Sequence, residues 1–169
     1  MLDDAAREEL ITQNIPAPRN LAVDNEIILP VNKVVNVLVT SAADGVIHDW
    51  KIPSFGSMVD AVPGRVTTTW FQPTLEGIFY GQCSELCGKD HAFMPIAVRV
   101  VKEDVYNAWV DAMKAASAAD TDAKAEPDKE KRKDKLRHKK ELLQKAKDIV
   151  KQAALEQAGT RKFANAKAQ

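Results

Sequence analysis

A small, mainly β domain followed by a helical extension is the fold class this sequence predicts, and three observations carry the prediction. Runs rich in β-branched residues recur at 33–40, 65–71 and 95–101, the composition of strands on half-buried sheets. Prolines and glycines at Pro53, Gly56, Pro63, Gly64, Pro73, Gly77 and Gly88 cut the chain between those runs into short pieces, as an antiparallel sandwich or barrel requires. From Asp128 onward the chain changes character and becomes lysine-rich with helical spacing of its apolar residues.

The elements follow in order. Residues 1–20 form an N-terminal segment with Asp3, Asp4, Glu8 and Glu9 and the pair Pro16 and Pro18. Residues 1–14 are acidic with no apolar stretch, and the acidity is wrong for an intact transit peptide. Residues 21–114 are the expected β domain, closing on a short helix over 103–113 whose acids, Glu103 and Asp104, suit a helix start. The alanine-rich, polar stretch 115–127 reads as a linker. The tail, 128–169, reads as a basic helix with Leu136, Leu143 and Val150 at sevenfold spacing and Leu142, Ala146, Ile149 and Ala153 beside them. A helix of this length needs its apolar stripe packed, so docking on another subunit is expected ahead of a solvated helix or a contact with anionic lipid.

A net charge of zero conceals a division. Residues 1–127 hold 10 Lys and Arg against 18 Asp and Glu, a charge of −8, and the remainder holds 14 against 6, a charge of +8. An acidic domain suits a basic soluble partner, because complementary charge accelerates encounter. Nucleic acid is not an expected partner. No run of about 18 apolar residues exists, so no membrane span is expected.

The chemistry concentrates in Cys83 to Met94, where Cys83, Cys87, His91 and Met94 follow the spacing C-x3-C-x3-H-x2-M. Thiolate, imidazole and thioether together select copper over harder metals. Zinc accepts cysteine and histidine but is poorly served by thioether, and the C-x-x-C-H of a c-type haem is absent. The plainer alternatives are a disulfide, two unrelated core thiols, or a structural zinc knuckle. The histidine and methionine on the same short loop weigh against all three.

Four segments carry a family resemblance. Gly77-Ile-Phe-Tyr-Gly-Gln-Cys-Ser-Glu-Leu-Cys-Gly88, continuing through Phe93-Met94-Pro95-Ile96, closely resembles the dinuclear copper (CuA) loop of cytochrome c oxidase subunit II. Val46-Ile-His-Asp-Trp-Lys-Ile-Pro53 is similar to that family's H-x-W-x-x-P element, Asp60-Ala-Val-Pro-Gly-Arg65 to its D-A-V-P-G-R turn, and Val23-Asp-Asn25 to its V-D-N strand entry. These motifs lie in the family's order over roughly residues 21–110. The resemblance implies a cupredoxin-like Greek-key sandwich. It implies that Cys83 and Cys87 bridge two copper ions, with His48 and Met94 completing one, and His91 and the backbone carbonyl of Glu85 completing the other. It further implies a magnesium site at the subunit I interface, approached by the Glu85 side chain. Implied partners are oxidase subunit I and cytochrome c, with further oxidase subunits expected at the basic tail. The implied role is electron transfer, with oxygen reduction left to a partner subunit.

Two family features are not found: the two-helix membrane hairpin, and the aromatic G-H-x-W-Y-W segment through which cytochrome c electrons enter. Trp50 and Trp70 are not assigned that role in its place. The sandwich is therefore expected to be incomplete at its N-terminal side, this chain being the carboxy-terminal half of a split subunit II whose membrane-anchored N-terminal half is a separate polypeptide. The compartment that follows is the intermembrane-space side of the mitochondrial inner membrane, with a bacterial periplasm as the fallback. Two rivals remain open: a copper-delivery protein, and the CuA domain of a nitrous-oxide reductase-like enzyme.

Overall fold

The computed structural model describes residues 2–13 and 15–167, with side-chain surroundings described as far as Gly159. The chain divides into two units, residues 1–101 and 102–169.

In the first unit the sequence Pro95-Ile-Ala-Val-Arg-Val-Val101 forms strand β7, and five successive residues from Ala97 to Val101 are buried. A strand buried on both faces must sit inside a sheet, and β7 does. The larger sheet runs in the order β1-β7-β6-β3-β4, with β1 at Ile27–Pro30, β3 at His48–Ile52, β4 at Ser57–Ala61 and β6 at Gly77–Gln82. A second sheet pairs β2, Val35–Val39, with β5, Thr67–Phe71. The expected runs at 33–40 and 65–71 thus become β2 and β5, and the run at 95–101 becomes β7.

One expectation fails. The sheets are not wholly antiparallel, because β1 runs parallel to β7, with Ile27 opposite Val98 and Pro30 opposite Val101. Only a tight hairpin forces two strands to run in opposite directions, and β2 to β6 all intervene between β1 and β7. The junction is tied by Glu26, whose carboxylate takes two hydrogen bonds from the Arg99 guanidinium, one from Nε and one from Nη2 at 2.7 Å. Arg99 is 2% exposed, and a bidentate carboxylate is the arrangement that makes a buried guanidinium tolerable.

Between the sheets lies the core. Ile52, Val98 and Val100 are fully buried, with Leu29, Val31, Trp50, Phe55, Phe79 and Ile96 packed on them. Phe71 of the second sheet stacks on Phe55 at 4.5 Å and on Trp50 at 6.0 Å, and Phe55 meets Phe79 at 5.0 Å. Trp50 is therefore a packing residue. The outward face of the second sheet stays bare, with Leu38 71% and Trp70 67% exposed. The N-terminal segment is not irregular throughout: Asp4–Thr12 forms helix α1, capped by the Asp3 carboxylate, which accepts from the Ala6 N–H at 2.8 Å. Farther on, the Tyr80 hydroxyl on β6 donates to the Pro16 carbonyl at 3.2 Å.

The second unit corrects the linker and the short helix. Residues 115–125 are helical, and one helix, α2, runs from Glu103 to Ala125. Alanine is the strongest helix former, so an alanine-rich stretch continues a helix rather than ending it. Pro127 stops α2, and the Asp128 carboxylate then accepts from the N–H groups of Glu130 and Lys131 to start α3, Lys129–Lys167. The two helices lie antiparallel, tied by Lys135 to Glu126 at 2.9 Å and Lys139 to Asp120 at 2.6 Å. Their less exposed positions follow a heptad seam: Val105, Trp109, Ala112, Ala116, Ala119 and Ala123 on α2, and Lys135, Lys139, Leu142, Ala146, Ile149 and Ala153 on α3. Leu142, Ala146, Ile149 and Ala153 of the stripe read in the sequence lie in this seam, Leu143 and Val150 are half-buried beside it, and Leu136 is 38% exposed. The apolar stripe thus has a partner within the chain, which removes the reason for invoking another subunit to cover it.

Candidate metal centre

Strand β3 begins on His48, and β6 ends on Gln82, one residue before Cys83. These strands are neighbours, so the sheet brings a histidine beside a cysteine thirty-five positions later in the chain. Their approach depends on Gly81. A Cβ there would stand 2.0 Å from the Lys51 carbonyl oxygen and 2.9 Å from Cγ1 of Ile52, so no side chain fits. A glycine inside a strand, between Tyr80 and Gln82, is the signal that marks such a close backbone approach.

Past Gln82 the chain leaves the sheet, turns at Gly88 with φ 127°, passes through a short 3-10 turn at His91–Phe93, and returns as β7. The loop is closed at its base by Cys83 N–H to the Met94 carbonyl at 3.1 Å and by Gln82 Nε2 to the Ala92 carbonyl at 2.9 Å. Folding the loop back in this way stacks its donors on one another. The Cys83 and Cys87 sulfurs are 3.8 Å apart, too far for a disulfide, and both thiols are free. His48 Nδ1 lies 3.9 Å from the Cys83 sulfur, and the Glu85 carbonyl oxygen lies 3.4 Å from it. On the other side, His91 Nδ1 is 3.4 Å and Met94 Sδ 3.5 Å from the Cys87 sulfur. All six residues singled out in the sequence therefore meet at one place, Glu85 through its backbone, while its side chain is exposed.

The donor set fits copper. Thiolates 3.8 Å apart could both hold a metal at the usual metal–thiolate length of about 2.3 Å. The nitrogens, thioether and carbonyl then stand around that pair, and such soft and borderline donors hold copper. Cys83 is buried and Cys87 partly so. Desolvation first, then the hydrogen bond and charge of Cys83, push the Cys87 thiol above its ordinary value, as expected where two thiols crowd each other. A bound cation would reverse that preference, with Cys83 and Cys87 holding it as thiolates.

Sequence reasoning passed over two residues that shape the centre. Gly81 is one. The other is Asp49, 2% exposed, whose Oδ1 accepts from the Val59 N–H at 3.0 Å and whose Oδ2 accepts from the Ser84 hydroxyl. An acid in the middle of the apolar-flanked run Val46 to Ile52 was its only mark in the sequence.

With this geometry in place, comparison decides the family. The family model described as cytochrome c oxidase subunit II, periplasmic domain, matches residues 7–101, more than half the chain. The chain belongs to the cytochrome c oxidase subunit II family. It is 56% identical over 91 residues to cytochrome c oxidase subunit 2 of Cereibacter sphaeroides, and 50% identical over 95 residues to that of Branchiostoma floridae. These matches take in 54% and 56% of this chain but only 29% and 40% of the two relatives, so the chain corresponds to less than half of either. Among solved structures it is similar to the periplasmic domain of subunit II of cytochrome oxidase from Bradyrhizobium japonicum, with 57% identity and a TM-score of 0.56, covering 59% of this chain and 70% of that one. The cupredoxin-like fold expected from the motifs is the fold of this unit. No helix among the described residues is long and apolar enough to cross a membrane.

Proposed function

We propose that this chain is the electron-accepting copper module of a respiratory terminal oxidase, receiving electrons from cytochrome c and passing them to the haem of oxidase subunit I. The observation that carries this reading is the convergence of His48, Cys83, Cys87, His91, Met94 and the Glu85 carbonyl around one sulfur pair. When bound there, a dinuclear copper centre supplies a one-electron couple shared over both metals. The protein residues hold their donors still: β3 fixes His48, β6 fixes Cys83, and the two hydrogen bonds at the loop base fix Met94 and the turn carrying His91. Rigid ligands keep rearrangement small between oxidation states, and small rearrangement favours fast transfer. The loop also presents Leu86, 80% exposed, and Phe93, 54% exposed, apolar groups on which a soluble donor can settle while the acidity of residues 1–127 steers a basic one.

The finer assignments belong to the same proposal. The Glu85 carboxylate, turned outward, is free to serve a magnesium ion shared with subunit I. The bare outer face of the second sheet supports a split subunit II, in which a membrane-anchored polypeptide carries the N-terminal half. The compartment proposed is the intermembrane-space side of the mitochondrial inner membrane, with the periplasm as its bacterial counterpart.

Copper analysis and electron paramagnetic resonance of the purified chain, alone and with its oxidase partners, test the reading. The expected result is two coppers per chain and a mixed-valence spectrum, both lost in Cys83→Ser. One loosely held copper would instead identify a delivery protein, and zinc in place of copper would overturn the electron-transfer role.

A further inference from the structure

Strands β3 and β6, which bring the two distant parts of the centre together, are joined by a single register pair, Lys51 opposite Gln82. Beyond it the ladder lapses, because the chain turns away into the metal loop at Cys83. Carried on in the same antiparallel sense, the register places Asp49 opposite Ser84. At that place the backbone ladder is replaced by a side-chain bond, from the Ser84 hydroxyl to Asp49 Oδ2. Asp49 directly follows His48, and Ser84 directly follows Cys83.

We propose that Asp49 and Ser84 form a positioning latch that sets the separation of His48 and Cys83, so that the site is assembled before the metal arrives. This inference rests on the copper reading above and deepens it. The carboxylate is suited to the task because both its oxygens are engaged: Oδ1 is anchored to β4 through the Val59 N–H, which leaves Oδ2 directed at the loop. A carboxylate 2% exposed is costly unless so satisfied, and its hydrogen bonds therefore resist rearrangement. Neither residue is a metal donor in this scheme. Asp49 acts through His48, whose backbone it holds in β3, and Ser84 acts through Cys83. Without the bond, the loop keeps its anchors at Gln82 and Met94 but loses its tie to the strand that bears the histidine.

The test uses the full chain with Ser84→Ala, Ser84→Thr and Asp49→Asn. Ser84 is exposed, so its variants keep the question answerable if Asp49→Asn fails to fold. Copper affinity is read by competition with a chelator. In the metal-free, reduced protein, the alkylation rate of Cys83 is read beside that of Cys87. Removing a group that orients a metal ligand costs about 10–100-fold in affinity, and Ser84→Ala is expected to lose that much, to alter the resonance spectrum of the loaded centre, and to speed alkylation of Cys83. Ser84→Thr restores all three. An amide at position 49 can still donate to the Ser84 oxygen, so Asp49→Asn loses less than Ser84→Ala, and the two combined lose no more than Ser84→Ala, because both act on one bond. Wild-type affinity, spectrum and alkylation in Ser84→Ala overturn the latch, as does a lowered melting temperature with the other readouts unmoved. Should the wild type take up no copper, the copper reading fails by itself, and the alkylation comparison still decides whether the latch holds the loop.

Discussion

The two units of this chain solve the problem of burying a seam in opposite ways. In residues 1–101 the contacts that matter join positions far apart in sequence: Glu26 with Arg99, His48 with Cys83, Ile27 with Val98. In residues 102–169 two consecutive helices fold back on each other about one three-residue turn, and small alanines let the backbones approach. Long-range pairing is expensive to assemble, since loop closure precedes any gain, but it can bring donors from several strands to one point. A hairpin of helices forms from local contacts and offers a long surface instead. The candidate metal centre lies in the unit that carries the cost of distant pairing.

That contrast can be broken from either side, and the largest effect belongs to Gly81. Gly81→Ala forces a methyl group into the Lys51 carbonyl and should destabilise the β unit by about 3 kcal/mol or more. Copper uptake should fall with it while the helical circular dichroism of the hairpin persists. A wild-type urea midpoint with full copper would show that β3 and β6 need no close approach. Ala146→Leu is the mirror experiment. Ala146 is 1% exposed in the seam, and overpacking it should cost about 1–3 kcal/mol, seen as a lower melting temperature of the helical signal with copper binding intact. Loss of copper in this variant would mean that the two units are not independent.

The smallest effect sharpens the account of the hairpin. Hydrogen bonding from Lys139, and next from Lys124, holds the Asp120 carboxyl below its ordinary value of 3.8. The folded state thus favours the anion, and the contribution is complete above 3.8, then lost as pH falls through the lowered folded value. Lys139→Met should lower the melting temperature of the hairpin slightly at neutral pH, and the difference from wild type should shrink well below pH 3.8. A difference that persists in acid would assign the role of Lys139 to the packing of its stem.

The strands at β5 and β7 were legible because their runs of Thr, Val and Ile are bounded by proline and glycine. That Cys83, Cys87, His91 and Met94 would meet was legible because they share one loop, at a spacing that suits a soft metal. His48 was reached only through resemblance to a family motif, since nothing in the sequence measures its distance from Cys83. The first helix of the hairpin was misread for a physical reason. Alanine scores as neither apolar anchor nor polar surface, so the seam of α2, built from Ala112, Ala116 and Ala123, leaves almost no periodic signal, whereas the stripe of α3 was read at Leu142, Ala146, Ile149 and Ala153.

Local chemistry was written in the chain itself: which residues branch at Cβ, where the backbone breaks, and which soft donors lie within reach of one another. The tertiary structure alone decided the parallel pairing of β1 with β7, the bare approach of Gly81 to Lys51, and the meeting of Asp49 with Ser84. Each of these depends on how distant strands are set against one another, and strand register is a property of the packed sheet rather than of any segment within it.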